Sequence, residues 1–150
     1  MRKANECDAL IDLLYRIRVI GHDASDPRSA LESILELIQQ YFASYTASIA
    51  LINPDTRKLD IEVNRGLPQN SKDVHLPIGK GITGWVALHG KSLRVDDVAS
   101  EPRYFKISDE VKSELACAME EAGQVTGVIS IGSNRPAAFS EETQKTLEII

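Results

Sequence analysis

The residues best equipped for chemistry form one short run, Arg103-Tyr104-Phe105, where a guanidinium stands beside two aromatic rings. A planar cation pairs with carboxylate or phosphate and aromatic rings stack on flat groups, so the run suits a small anionic or heteroaromatic ligand. The alternative is structural: Tyr104 and Phe105 anchor a long loop while Arg103 pairs with Asp96, Asp97 or Glu101. A second candidate is Gly79-Lys80-Gly81-Ile82-Thr83-Gly84, a glycine turn that could aim N–H groups at an anion. It lacks the Gly-Lys-Ser/Thr ending of a phosphate loop, and the helix after it is too short for a dinucleotide crossover. Trp85, which follows, is either a core anchor or a pocket wall. The thiols Cys7 and Cys117 lie too far apart to suggest a metal knuckle or a disulfide framework. Cys117 alternates with Leu115 and Met119 and reads as a small core residue. No spacing sets it against His89 or Glu114 as a nucleophile with its base. His22, His75 and His89 each sit at an element end or edge, where no bound cofactor is needed to account for them.

These groups must be positioned by regular elements. Leu10, Leu13, Leu14, Ile17 and Ile20 fall at helical spacing, so a first helix is expected over 3–21, stopped by Gly21. Its apolar stripe calls for a partner, either the next helix or a second copy of the chain. Asp26-Pro27 reads as an N-cap with proline in the first helical position, opening a helix that carries Leu31, Ile34, Leu35, Ile38 and Phe42. The period then becomes two. Thr46 to Ile52 predicts a strand covered on both sides, and Leu59, Ile61 and Val63 predict an antiparallel partner. Val74 to Ile78 suggests a brief edge strand, the segment from Trp85 a short helix closed by Gly90, and Ser92 to Val95 another strand. Ala99 to Asp109 reads as a loop with a helical turn. Leu115 to Glu120 and Val125 to Ser133, joined at Ala122-Gly123-Gln124, form the strongest hairpin signal. Ser140 caps a last helix over 140–150. Helices, hairpin, loop, hairpin and helix in that order indicate an α+β domain with an antiparallel sheet.

The chain has 150 residues, enough for a single domain over 1–150 with a real core. A formal net charge of −5 argues against binding nucleic acid through its phosphates. The charged start is unlike a signal peptide and no run reaches membrane-spanning length, so a reduced, cytoplasmic setting without membrane contact is expected.

In order along the chain, Gly79-Lys80-Gly81-Ile82-Thr83-Gly84-Trp85-Val86-Ala87, Val95-Asp96-Asp97-Val98, Glu101-Pro102-Arg103-Tyr104, Ser113-Glu114-Leu115-Ala116, Gly127-Val128-Ile129 and Ala138-Phe139-Ser140-Glu141-Glu142 together resemble a GAF domain, a sensory module of signalling proteins. The resemblance implies a six-stranded antiparallel sheet with helices on both faces: the first and last on one side, and the connections around Trp85 and Arg103 to Ser108 roofing a pocket on the other. Where the likeness puts the cavity, Ser48, Ser113 and Glu114 join Trp85, Asp97, Arg103, Tyr104 and Phe105 as candidate ligand-binding residues. It also implies a regulatory domain that binds an unidentified small molecule, pairs as a homodimer through its terminal helices and signals to an effector domain, without being an enzyme. In the branch that reduces free methionine sulfoxide, cysteines occupy the glycine unit and the loop after it. Here Thr83 stands in the first place, and no cysteine occurs between Gly79 and Ala116. The cyclic-nucleotide branch is echoed only loosely, by Asn134-Arg135, Phe139 and Glu141-Glu142. Charges placed at Leu13 and Ile17 are expected to break a dimer built on the first helix.

Overall fold

The computed structural model describes residues 2–150, the side chain of Lys72 excepted; Met1, the first residue of the expected domain, lies outside the described residues. Helix α1 spans Arg2–Asp23 and α2 spans Pro27–Phe42. Asp26 caps α2 as its sequence suggests, its carboxylate accepting from the N–H groups of Arg28 and Ser29. The end of α1 differs from the sequence reading: the helix passes through Gly21, and Ala24 N–H closes it on the Ile20 carbonyl. A helical glycine costs only about 1 kcal/mol, too little to terminate a helix whose far side is packed.

The strands are β1 (Thr46–Ile52), β2 (Lys58–Arg65), β3 (His75–Pro77), β4 (Leu93–Val95), β5 (Ser113–Glu121) and β6 (Gln124–Ser133). They form one sheet in the order β3-β2-β1-β6-β5-β4, with every neighbouring pair antiparallel. Helix α3 (Gly81–His89) follows the glycine turn, and α4 (Glu141–Ile149) is capped by Ser140, whose hydroxyl accepts from Thr143 N–H. The architecture is therefore α+β, as its order of elements implies.

Strand alternation divides the core in two. On one face Ala47, Ile49, Val63, Leu115, Cys117, Ile129 and Ile131 pack against Leu35 and Ile38 of α2, Phe139 and Leu147 of α4. Helix α1 adds Ile17 to this cluster and buries Leu13 completely enough to leave it 4% exposed. The residues proposed for disrupting a dimer thus belong to the chain's own core, and charging them would damage the fold. On the other face Ala50, Leu59, Ile61, Ala116 and Val128 meet Ile82, Val86 and Ala87 of α3, with Val98 and Val111 closing the edge.

The seat of α3 depends on one glycine. Gly84 lies in mid-helix, and a Cβ there would stand 2.7 Å from the Pro77 carbonyl oxygen and 3.2 Å from the Gly79 nitrogen. The same approach lets Gly79 N–H donate to the Gly84 carbonyl at 2.8 Å, which ties the glycine turn to its helix. Helix propensity alone would make Gly84→Ala stabilising by about 1 kcal/mol. Collision with fixed backbone should reverse that sign, giving a loss of about 1–3 kcal/mol in urea denaturation.

Candidate functional site

Between the sheet face that carries α3 and the loop of residues 101–112 lies a cavity of about 50 Å³. The sheet contributes mainly small or polar side chains, Thr46, Ser48 and Ala50 from β1, Glu114 from β5 and Ser130 from β6. Register explains why they meet. Ser48 is opposite Ser130 across the β1–β6 pair, Ser130 is opposite Ala116 across β5–β6, and Glu114 lies two residues before Ala116 on the same face. Ile61, Leu76, Ile82 and Val111 supply apolar walls, and Tyr104, Phe105, Ile107 and Ser108 form the roof.

Glu114 is the charged group of the cavity. Ser130 Oγ donates to its Oε1 at 2.6 Å. The side chain keeps some exposed surface because it opens on the cavity, yet protein encloses the carboxyl and burial drives its pKa upward, with the Ser130 hydrogen bond pulling weakly the other way. Tyr104 shares this environment. Burial first, and then the nearby acids Glu114 and Asp109, push its phenol up to about 12. The site thus holds a carboxyl inclined to stay protonated and a phenol that does not ionise at neutral pH.

The roof is a single loop fixed at both ends. Val98 N–H donates to the Lys112 carbonyl at 2.9 Å, and Lys112 N–H donates to that of Ser133 at 2.7 Å. Within it Lys106 and Asp109 pair at 2.5 Å, and the Tyr104 hydroxyl reaches the Ser108 carbonyl at 3.5 Å. Gly81 allows a close approach between roof and glycine turn: its φ is +70°, and a Cβ would meet Phe105 Cβ at 3.3 Å. Phe105 lines the cavity while remaining 51% exposed, so the roof over the site is one ring thick there.

Of the eight candidate residues, Ser48, Tyr104, Phe105 and Glu114 converge on the cavity. The other four do not line it, and each has a structural duty. Arg103 points outward: its Nε donates to Glu101 Oε1 at 2.5 Å, holding that carboxyl below its ordinary range, and its guanidinium lies 5.1 Å from the Trp85 ring centroid. Trp85 is half-buried beneath it and stacks on His89 at 4.2 Å between centroids. Asp97 accepts from Ala99 N–H and from the Ser100 hydroxyl, capping a turn at Val98–Ser100. Ser113 faces the opposite side of the sheet from Glu114, donating to the Arg135 carbonyl and accepting from Ala138 N–H. Thr46, Ser108 and Ser130 are not among the residues that the sequence singles out, although Ser130, set between Ile129 and Ile131, is a usable signal.

With this geometry in view, the chain belongs to the GAF domain family, whose model matches residues 24–150. Among curated proteins it is 32% identical over 91 residues to the dual 3',5'-cyclic-AMP and -GMP phosphodiesterase 11A of Takifugu rubripes, a match covering 53% of this chain and 10% of that protein. The chain spans less than half the length of the curated relatives it matches. Among solved structures it resembles the GAF domain of a phosphoenolpyruvate-protein phosphotransferase from Coxiella burnetii, with a TM-score of 0.86, 16% identity and coverage of 99% of this chain and 89% of that one. It also resembles the free methionine-R-sulfoxide reductase of Neisseria meningitidis in complex with its substrate, with a TM-score of 0.78, 21% identity and the same coverage. These neighbours correct the expectation that the chain is not an enzyme. Several are reductases, so the fold itself carries catalysis and supplies no ground for excluding it. Both cysteines of this chain lie away from the cavity. Cys7 is exposed on α1, and Cys117 is buried on the helical face, its thiol pushed up to about 11 chiefly by burial. No helix among the described residues is long and apolar enough to cross a membrane.

The raised Glu114 pKa makes a signed prediction. An acid that is weaker when folded keeps its proton longer there than in the unfolded chain. Its contribution to stability is therefore whole below the ordinary value of 4.5 and is lost as pH rises through the folded value. Glu114→Gln removes the titration, so its stability relative to wild type should climb with pH across that window in urea denaturation. Acids held below their ordinary range, such as Asp60 beside His75, occur in both proteins and cancel in the difference. A difference independent of pH would contradict an enclosed carboxyl.

Proposed function

We propose that this GAF domain is a regulatory module that receives a small amine-bearing molecule between the sheet and the 101–112 loop, with Glu114 pairing the amine. The observation that carries the reading is a carboxyl enclosed in a cavity, with one hydroxyl donor on Oε1 and no cation beside it among the described residues. A ligand ammonium would supply the missing opposite charge and convert a costly ionised form into a favoured one. Ser48, Ser130 and Thr46 offer hydroxyls for neighbouring polar atoms, while Ile61, Leu76, Ile82 and Val111 suit an aliphatic portion. The structural neighbour solved with free methionine-R-sulfoxide reductase's substrate bound adds support for a ligand of amino-acid size.

The closed cavity, at about 50 Å³, is smaller than the roughly 150 Å³ space that admits benzene. Entry of such a ligand therefore requires the roof to move, and a moving roof is what would convert occupancy into a signal. The loop separates the cavity from solvent at Phe105 and is latched to α3 by the Arg103 stack on Trp85. The Takifugu phosphodiesterase extends far beyond the matched segment, which supports reading the domain as one module of a larger signalling protein.

Isothermal titration calorimetry with free methionine-R-sulfoxide tests the reading, and the same samples can be assayed for its reduction by a thiol donor. Wild type should bind saturably. Because the ammonium stabilises the ionised carboxylate, at a pH where the free carboxyl still holds its proton binding should release it, detected as a heat that changes with buffer. Glu114→Gln should bind at least about tenfold more weakly, the loss expected for a charge-assisted hydrogen bond of about 1.5–3 kcal/mol. Equal affinity in the two proteins would refute the role given to Glu114. Arg103→Ala, which unlatches the roof without touching the cavity, should raise deuterium exchange across 103–108 while leaving the affinity ratio intact.

A further inference from the structure

Two large apolar side chains stand in solvent on either side of the glycine turn. Leu88 of α3 is 61% exposed, and a Cβ on Gly79 would lie 3.4 Å from its Cδ2; Phe105 of the roof, half exposed, rests on Gly81 in the same way. Gly79 and Gly81 are two peptide units apart, about 7.6 Å at most, so the turn sets the two side chains near each other. Trp85 closes the ring. It lies three residues before Leu88 on the same side of α3, is half-buried, and carries the Arg103 guanidinium from the loop that bears Phe105. Helix α3 therefore has apolar side chains inside and out: Ile82, Val86 and Ala87 face the sheet, and Leu88 faces solvent. A helix that is apolar all round is built to be covered on every side.

We infer that this ring docks an apolar peptide segment of a partner protein that brings a carboxylate to Lys80. Charge selects the occupant. Lys80 stands in the turn between the two glycines, exposed and paired with no acid among the described residues, and no Asp or Glu lies between Gly79 and His89. On the loop side Arg103 pairs with Glu101 and Lys106 with Asp109. Of the charges carried by residues 79–89 and 101–109, Lys80 is therefore the unbalanced one. Tryptophan, phenylalanine and arginine are also the residue types that anchor protein interfaces. One free cation attracts an anionic bilayer weakly, at about 1 kcal/mol per basic residue near the surface. A second copy of the chain, meeting the first across a two-fold at the turn, would set Lys80 against Lys80. The surface lies outside the cavity, and docking there needs no bound ligand.

Trp85 is the chain's one tryptophan, so its emission reports on this surface. Short random peptides displayed on phage and selected against the domain at low salt should be enriched in sequences that combine Leu, Ile or Phe with Asp or Glu. Tryptophan-free members, once synthesised, should shift Trp85 emission on binding. Leu88→Ser, with an unchanged thermal midpoint, should weaken them by at least about tenfold. Lys80→Glu should weaken the acidic peptides while sparing matched peptides in which Asn or Gln replaces the acids. The inference is overturned if no peptide is selected, or if the recovered peptides lack acids or bind Leu88→Ser as tightly as wild type. It is equally overturned if phosphatidylserine vesicles shift the emission and peptides do not, or if the domain alone forms a dimer that Leu88→Ser breaks.

Discussion

The structure depends on an imbalance between the two faces of the β1–β6–β5 centre. Toward α2 and α4 these strands present Ala47, Ile49, Ile129, Ile131, Leu115 and Cys117, most of them large and all sealed by helices. Toward the loop they present Thr46, Ser48, Ala50, Ser130, Glu114 and Ala116, which are short or polar. The second face is packed as well, with α3 covering Ala50, Ala116 and Val128. Where the loop roofs Thr46, Ser48, Ser130 and Glu114, the short side chains leave enclosed space. The small residues are not weakness in the core; they are the floor of the site.

The same imbalance accounts for the division of labour among the connections. Segments on the bulky face are regular helices, since an apolar stripe covers an apolar sheet most completely. The connection on the open face between β4 and β5 is irregular and gains its order from local devices: the Asp97 cap, the Glu101–Arg103 pair, the Lys106–Asp109 pair and the Tyr104 contact with Ser108. The Asp97 cap and the Lys106–Asp109 pair are solvent-exposed and the Tyr104 contact is long at 3.5 Å, so the loop is positioned without being locked. Arg103 shows how the two requirements meet. Its charge is taken by Glu101 and its flat face rests on Trp85, so it connects roof to helix and leaves Glu114 as the charged residue facing the cavity.

Much of the fold was legible because its signals were local: the Asp26-Pro27 start of α2, the alternation of β1 and β2, the Ala122-Gly123 hairpin and the Ser140 cap each depend on neighbours in sequence. The end of α1 was misplaced because Gly21 is a local signal overruled by packing elsewhere on the helix. The site was half legible for a related reason. Residue type picked out Arg103 and Trp85, yet type does not say which way a side chain faces, and both turned to each other. Glu114 is marked in the sequence only by the family likeness, and it pairs with Ser130 only through the β5–β6 register, which places residues sixteen apart within one hydrogen bond. The excluded catalysis was an overreach of another kind, since missing cysteines at two family positions say nothing of other routes on a fold that enzymes share.

The account rests on Glu114 being an enclosed carboxyl that waits for a positive partner. Its side-chain carboxyl can be followed directly by carbon-13 NMR titration with and without a small amine. The account predicts a midpoint above 4.5 in the free domain and a fall when the amine is present. A carboxyl that titrates at its ordinary value, unmoved by the amine, would contradict it.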